Sequence, residues 1–307
     1  MFFFTDDPNG YLTYEEPLFR PPREHDSLIV QATVGCSRNS CAFCVMYKNK
    51  KFRIRDMNQI EGDLSKIPVH IRPRIVKIFL ADGNALCAGA SHLTGICRTA
   101  REIFPNLRHI STYANPYDIL EISRSELSTL RKAGLKNLYV GLESGADRVL
   151  ATIGKKGCYK DYLESMNRAH EAGFVLSVTL LLGLGGKNMS GVHSSESARL
   201  VSEAAPRFVN TLTTTFYEGS GLLKLYNCGE LEFQSPGDII DEHIRFVNEV
   251  ESERMIYRSN HVSNFMNIEG ILKRDRSVIS SALESLKAEI ENNNKFNKLK
   301  VGGYHEI

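Results

Sequence analysis

Three thiols crowd into nine residues of this chain. In "GCSRNSCAFC", Cys36, Cys41 and Cys44 follow the apolar run "SLIVQATV", and the next cysteine is Cys87. Thiolates at such spacing suit either tetrahedral zinc or an iron–sulfur cluster. A structural zinc site would want a fourth Cys or His in a second knuckle at similarly short range, and the sequence offers none. The interval Cys-x4-Cys-x2-Cys is also that of plant-type two-iron clusters, which need a distant fourth cysteine. The other four cysteines, Cys87, Cys97, Cys158 and Cys228, are scattered, which is not a disulfide framework in a chain of 307 residues. A reducing, cytoplasmic compartment and a metal-holding cluster are therefore expected.

Something must position those thiols. Apolar or β-branched runs at 27–35, 76–83, 108–115, 137–145, 175–186 and 207–219 predict six strands. Between them the 3.6-residue pattern predicts helices near 56–67, 91–103, 123–133, 146–153, 159–172 and 190–204. Ser91, Ser123 and Ser190 are placed as N-caps, and Gly134 and Gly173 as stops. Strand and helix in alternation imply right-handed crossovers and a parallel sheet. The fold class expected is α/β, a partial (β/α)6 TIM-like barrel, with a doubly wound sheet as the alternative. In both, chemistry sits at the carboxyl ends of strands. Those ends carry Cys36, "DGN" from Asp82, "YAN" from Tyr113, Glu143 with Ser144, "GLGG" from Gly183, and "YEGSG" from Tyr217.

After about residue 222 the alternation stops. Ser235 and Pro236 open a helix, "YRSNHVSNF" follows, and an amphipathic helix is predicted over 274–293. Three regions result: an N-terminal extension (1–26), the barrel (27–221), and a mainly helical C-terminal extension (222–307) able to cover the barrel mouth. The opening "MFFFTDDPNG" lacks a basic n-region and no run of about 18 apolar residues occurs, so neither a secretory signal nor a membrane span is expected. The net charge of +2 gives no global attraction to nucleic acid, and the local basic run "KNKKFRIR" reads first as a solvated face.

The cysteine loop after the first strand resembles that of the radical S-adenosylmethionine enzymes, whose signature is usually Cys-x3-Cys-x2-Cys with an aromatic residue before the last cysteine, here Phe43. The resemblance implies that Cys36, Cys41 and Cys44 ligate three irons of a 4Fe-4S cluster, and that the fourth iron is left for the amino and carboxylate groups of S-adenosylmethionine. It continues in "ADGNAL", similar to the second-strand glycine motif, which carries over Asp82, Gly83 and Asn84. "YVGLESGADRVL" resembles the fourth-strand segment of the subgroup that includes oxygen-independent coproporphyrinogen oxidases and methylthiotransferases, and it carries over Glu143 and Ser144. "LLLGLGG" resembles the fifth-strand glycine motif, where Gly183 and Gly185 would let the backbone approach adenine. The match covers about residues 27–221. It departs in the longer first cysteine gap, in Ser177 where relatives often carry a charge, and in the lack of a second cysteine cluster; 26 residues before the first strand leave no room for a cobalamin domain.

The implied activity is reductive cleavage of S-adenosylmethionine to a 5′-deoxyadenosyl radical that abstracts hydrogen from a small-molecule substrate. The electron would come from flavodoxin or ferredoxin. Simpler roles stand beside these. Glu143 could cap the helix starting at Ala146, and Asp82 could end a strand in a turn. Cys87, Cys97, Cys158 and Cys228 read as small buried hydrophobes. Arg258 and His261, in a polar stretch costly to bury without purpose, are candidates on the substrate side or members of a hydrogen-bonded knot. Two other functions remain open: modification of tRNA, with "KNKKFRIR" on phosphates, and a non-catalytic iron–sulfur electron carrier, which would have no use for the strand-end glycine and Glu-Ser motifs.

Overall fold

The computed structural model describes residues 10–292 together with 301 and 302. In chain order its strands and helices are β1 (Leu28–Gln31), β2 (Thr33–Val34), β3 (Arg53–Ile54), α1 (Met57–Lys66), β4 (Lys77–Ala81), α2 (Ala90–Ile103), β5 (His109–Ala114), α3 (Pro116–Glu121), α4 (Arg124–Ala133), β6 (Leu135–Glu143), α5 (Asp147–Thr152), α6 (Tyr159–Glu171) and β7 (Val175–Leu182). There follow α7 (Gly186–Ala204), β8 (Phe208–Thr213), β9 (Phe216–Tyr217), α8 (Gly221–Asn227), α9 (Pro236–Glu249), β10 (Ile256–Ser259), β11 (Ile268–Ile271), α10 (Leu272–Asn292) and β12 (Val301–Gly302). Hydrogen-bonded strands run in the order β1-β4-β5-β6-β7-β8-β10-β11, with β1 and β11 at its ends. The β1–β4, β4–β5, β5–β6, β7–β8 and β8–β10 pairs are parallel, and the β10–β11 pair is antiparallel. This is the α/β class expected, and the sequential order is what helical crossovers of one hand produce.

The six predicted strands are present, but the sheet does not stop there. β10 joins β8 in parallel, with Tyr257 opposite Val209, and β11 folds back on it. The run "IYRS" alternates half-buried and buried positions, a period-2 signal too short to separate from a polar connector by sequence alone. The predicted run 207–219 divides into β8 and β9.

Helix starts show where local rules hold. Ser123 caps α4 with Glu126 reaching back, and Ser235 caps α9 with Asp238 in the same reciprocal box. Ser91 and Ser190 are not caps: α2 is capped by Gly89 and α7 by Gly185. In α7 the Lys187 amide donates to the Glu232 carbonyl at 2.8 Å. A chain segment 45 residues away thus satisfies a helix-end donor that a serine was expected to satisfy.

The chain forms two compact units. The first comprises 1–39, 46–141 and 164–176. Within it Leu18, Ile29, Phe79 and Ala81 form a buried cluster, with Tyr14, Tyr113 and Tyr139 against it. Phe79, Tyr113 and Tyr139 meet edge to face, the geometry ring quadrupoles favour. The second unit comprises 40–45, 142–163 and 177–307. There α9 lies against both α7 and α10, and the buried Phe246 and Tyr257 rings are neighbours.

Candidate cluster and cofactor site

The loop that carries Cys36 leaves β2 at Gly35 and returns as β3, whose Arg53 and Ile54 pair antiparallel with Val34 and Thr33. This hairpin clamps the loop's two ends. None of the seven cysteines is assigned to a disulfide, and Cys36, Cys41 and Cys44 are each half-buried.

The first cysteine is held from β4. Cys36 Sγ lies 3.2 Å from Asn84 Oδ1, which also accepts the Ser37 amide at 3.0 Å. Asn84 Nδ2 donates to Ser37 Oγ at 2.8 Å and to Asp118 Oδ2 at 2.9 Å. Gly83 adopts φ +31°, and a Cβ there would sit 2.6 Å from Cys36 Cβ. Only glycine lets the β4 turn come this near the cysteine. Burial pushes the Asp118 carboxyl up to about 6 and the nearby Cys87 thiol up to about 11.

Asp82 directly follows β4 and opens the turn there. It is fully buried, and its Oδ2 accepts from Lys50 Nζ at 2.7 Å, Gln31 Nε2 at 2.9 Å and the Gly35 amide at 3.2 Å. Burial pushes its carboxyl up, against the pull of the Lys50 ammonium. Lys50 also donates to the carbonyls of Glu15 and Pro17. Sequence reasoning placed Lys50 in a solvated basic run. Instead it is a buried fastener between the N-terminal segment and the β4 turn. Of the rest of that run, Arg53 is paired with both oxygens of Glu15 and Arg55 with Asp63, while Lys48 and Lys51 are exposed.

Cys41 and Cys44 sit on a turn in which the Cys44 amide donates to the Cys41 carbonyl at 3.2 Å. Between them Ala42 is anchored on both sides: its amide donates to Ile153 O and its carbonyl accepts from Leu222 N, each at 2.9 Å. Phe43 is half-buried.

Glu143, at the end of β6, adopts φ +64°, a left-handed conformation that a non-glycine residue takes only when its surroundings impose it. The Ser144 amide donates to the Leu142 carbonyl at 2.8 Å, a tight turn centred on Glu143, and Lys155 Nζ lies 2.7 Å from Glu143 Oε1 with both side chains buried. Burial alone would lower the Lys155 ammonium's pKa, but Glu143 holds it above the ordinary lysine range, and Cys41 is close enough to add to that effect. Glu143 therefore does not cap α5; its partner lies past that helix's end. Lys155 was not singled out from sequence, and its only local signal was the pair "KK" after Gly154.

Ser144 Oγ accepts from the Ala146 amide at 3.0 Å and meets His193 Nδ1 at 2.8 Å. The next residue, Gly145, is pressed to α7. Its amide donates to Ser197 Oγ at 2.8 Å, and a Cβ there would lie 2.3 Å from the Glu196 carbonyl oxygen. At the end of β7 the Gly183 amide donates to Glu242 Oε1 at 2.6 Å, while Gly185 precedes α7. Ser177, in β7, accepts from Asn210 Nδ2 at 3.0 Å.

Arg258 and His261 lie elsewhere in the second unit. Arg258 is in mid-strand on β10, its guanidinium on Glu269 at 2.9 Å and over the Phe208 ring. His261 lies after the carboxyl end of β10, with Nδ1 2.9 Å from Ser263 Oγ. Asn264 in the same loop accepts the Thr213 amide at 2.7 Å, tying the loop to the end of β8.

The donor set suits an iron–sulfur cluster. Three thiols outside any disulfide share one loop, a backbone approach beside Cys36 excludes any side chain, and the buried Lys155 ammonium stands within electrostatic reach of Cys41. Among the described residues no three Cys, His, Asp or Glu side chains are grouped on one metal ion. In a cluster, by contrast, each thiolate takes its own iron. Also among the described residues, no helix is long and apolar enough to cross a membrane.

Comparison with known proteins agrees with this. The sequence pattern of the Radical SAM superfamily matches residues 30–195. A heme chaperone of Bacillus subtilis (strain 168), HemW, is 26% identical over 151 residues, which are 48% of this chain and 40% of HemW. The match thus spans well under two thirds of that relative. Among solved structures, coproporphyrinogen III oxidase (HemN) from Escherichia coli aligns with a TM-score of 0.54 at 20% identity, over 73% of this chain and 52% of that one. The radical S-adenosylmethionine methyltransferase TsrM from Kitasatospora setae aligns with a TM-score of 0.53 at 14% identity, over 67% and 40%. Elp3 of Methanocaldococcus infernus aligns with a TM-score of 0.51 at 13% identity, over 80% and 61%. At these identities the structural matches speak to fold.

Proposed function

Because the chain belongs to the radical S-adenosylmethionine superfamily, we propose that it is an enzyme in which Cys36, Cys41 and Cys44 hold the family's 4Fe-4S cluster while the ends of β4, β6 and β7 bind S-adenosylmethionine. Bound together, these two groups supply reductive cleavage to a 5′-deoxyadenosyl radical, and the reading is hydrogen abstraction from a small-molecule substrate. The observation that carries it is the approach of Gly83 to Cys36, so close that even one methyl group would collide with the cysteine. An electron carrier would not need a bare backbone beside its thiolate.

The chain's own residues divide the work. Asn84 orients Cys36, Lys50 and Asp82 lock the β4 turn, and Lys155 balances the charges of Glu143 and Cys41. Gly83, Glu143, Ser144, Gly183 and Gly185 are the assigned cofactor contacts, with Phe43 flanking the cluster. We assign residues 27–221 to the catalytic region and 222–307 to its cover. His261, beyond the carboxyl end of a parallel strand, goes to the substrate side. Arg258, engaged with Glu269 and Phe208, goes to the sheet. A flavodoxin or ferredoxin in a reducing cytoplasm is the matching electron source. Lys50, Arg53 and Arg55 are already paired, which leaves Lys48 and Lys51 of the basic run for phosphates and makes modification of tRNA the weaker alternative.

The test is anaerobic reconstitution, reduction and product analysis. Methionine and 5′-deoxyadenosine should form in equal amounts, with deuterium from a labelled substrate entering the latter. A reduced, fully loaded protein that binds S-adenosylmethionine yet forms no 5′-deoxyadenosine would sink the enzymatic reading. The similarity to HemW favours one other function, a heme-binding chaperone. Hemin titration decides it: a saturable Soret shift together with no cleavage selects the chaperone.

A further inference from the structure

Helix α9 belongs to the region expected to act as a cover, yet it reaches the strand ends directly. Glu242 is fully buried on α9. Its Oε1 accepts the Gly183 amide at 2.6 Å, its Oε2 accepts Gln234 Nε2 at 3.0 Å, and its backbone carbonyl accepts Ser194 Oγ from α7 at 2.9 Å. His193, one residue earlier on α7, lies with Nε2 3.6 Å from the same Oε1.

The hydrogen bonds of His193 determine its tautomer. Nε2 is 2.9 Å from the Leu181 carbonyl oxygen, which can only accept, so Nε2 carries the proton. With Nε2 as the ring's single N–H, Nδ1 is an acceptor, and the hydrogen between it and Ser144 is assigned to the serine hydroxyl. Ser144 Oγ keeps a lone pair for the Ala146 amide. Every bond along the line from Ala146 through Ser144 and His193 to β7 has its donor and acceptor in place, and Glu242 closes the adjoining turn.

We propose that Glu242 and His193 are positioning residues for the cofactor: together they set the β6 turn at Ser144 and the β7 turn at Gly183 in one fixed arrangement. This rests on the reading that these two turns meet S-adenosylmethionine. It assigns part of the 222–307 region to cofactor binding as well as to cover. Gln234 Oε1 has no partner among the described residues, but both Glu242 oxygens and both His193 nitrogens are bonded; a buried network so connected is rigid, whereas removal of the Glu242 acceptor leaves the Gly183 amide unpaired, and the turn must open to find water.

The experiment uses full-length, cluster-loaded protein with Glu242→Leu, Glu242→Gln and His193→Phe. S-adenosylmethionine affinity is read by calorimetry, and amide hydrogen exchange is read over residues 181–190. Glu242→Leu should keep its iron, weaken affinity tenfold or more and accelerate exchange in that peptide. Glu242→Gln, which retains an acceptor for Gly183, should stay within threefold of the parent. If the leucine variant does not fold, His193→Phe carries the test, with the same direction of change. Parent affinity in folded Glu242→Leu and His193→Phe overturns the proposal. Glu143→Ala and Gly185→Val separate the two ideas: if they too leave affinity unchanged, the turns are not the cofactor site, whereas if they weaken it while the network variants do not, only the positioning role fails.

Discussion

Lys155 Nζ stands 2.7 Å from Glu143 Oε1, and both side chains are nearly excluded from solvent. The pair joins a strand end to the segment beyond α5 and coincides with the left-handed backbone of Glu143. Removing one partner of a buried ion pair strands the other charge, at a cost of about 3–5 kcal/mol, while replacing both costs far less. Lys155→Met should therefore lower stability to urea by that order and weaken S-adenosylmethionine binding. The double variant Lys155→Met, Glu143→Gln should recover most of the stability but not the binding. Additive losses in the double variant would show that the two residues act apart.

Iron content should separate the three proposed cluster thiols from the rest. After anaerobic reconstitution, alanine at Cys36, Cys41 or Cys44 should abolish the four-iron spectrum. Alanine at Cys87, Cys97, Cys158 or Cys228 should leave it intact. Cys97 is fully buried in α2 and its thiol is pushed up to about 12 by burial, the condition of an inert core sulfur. Iron loading that depends on Cys87 would revive a four-cysteine site.

A single methyl group probes the approach of the β4 turn to the cluster loop. Gly83→Ala would bring a Cβ to 2.6 Å from Cys36 Cβ and 2.7 Å from the Gly35 carbonyl oxygen, so the loop must shift. The expected phenotype is a folded protein with iron loading reduced several-fold and a broadened cluster spectrum. Normal loading with a parent-like spectrum in this variant would mean the turn has room that its geometry denies.

Acid should unfold the protein partly through His243. The ring is buried against Tyr257, whose hydroxyl also meets Thr211 Oγ1 at 2.6 Å, and burial holds its pKa down at about 3. An unfolded histidine titrates near 6.5, so above that pH both states are neutral and nothing is lost. Below it only the unfolded state takes up the proton, and stability falls by about 1.4 kcal/mol per pH unit as pH drops from about 6.5 towards 3. Urea midpoints at pH 6.5 and 5.0 should show the parent losing about 2 kcal/mol more than His243→Phe. Equal losses would place the acid sensitivity elsewhere.

Much of this molecule is written locally. The six apolar runs, the capping boxes at Ser123 and Ser235, the three clustered cysteines and the glycine turns at 83 and 183 all depend on neighbours within a few residues, so periodicity and spacing reveal them. The superfamily was legible for the same reason, since its marks are short segments in order. Strands β10 and β11 were not, because their runs of four residues gain their identity only by pairing with β8 and with each other. Nor were Lys50, Lys155, His193 and Glu242, whose sequence neighbourhoods are those of ordinary surface residues. Tertiary structure buried them beside partners 12 to 59 positions away. A charge or a hydroxyl draws its role from whatever satisfies it out of water, and in this fold that partner comes from a distant part of the chain.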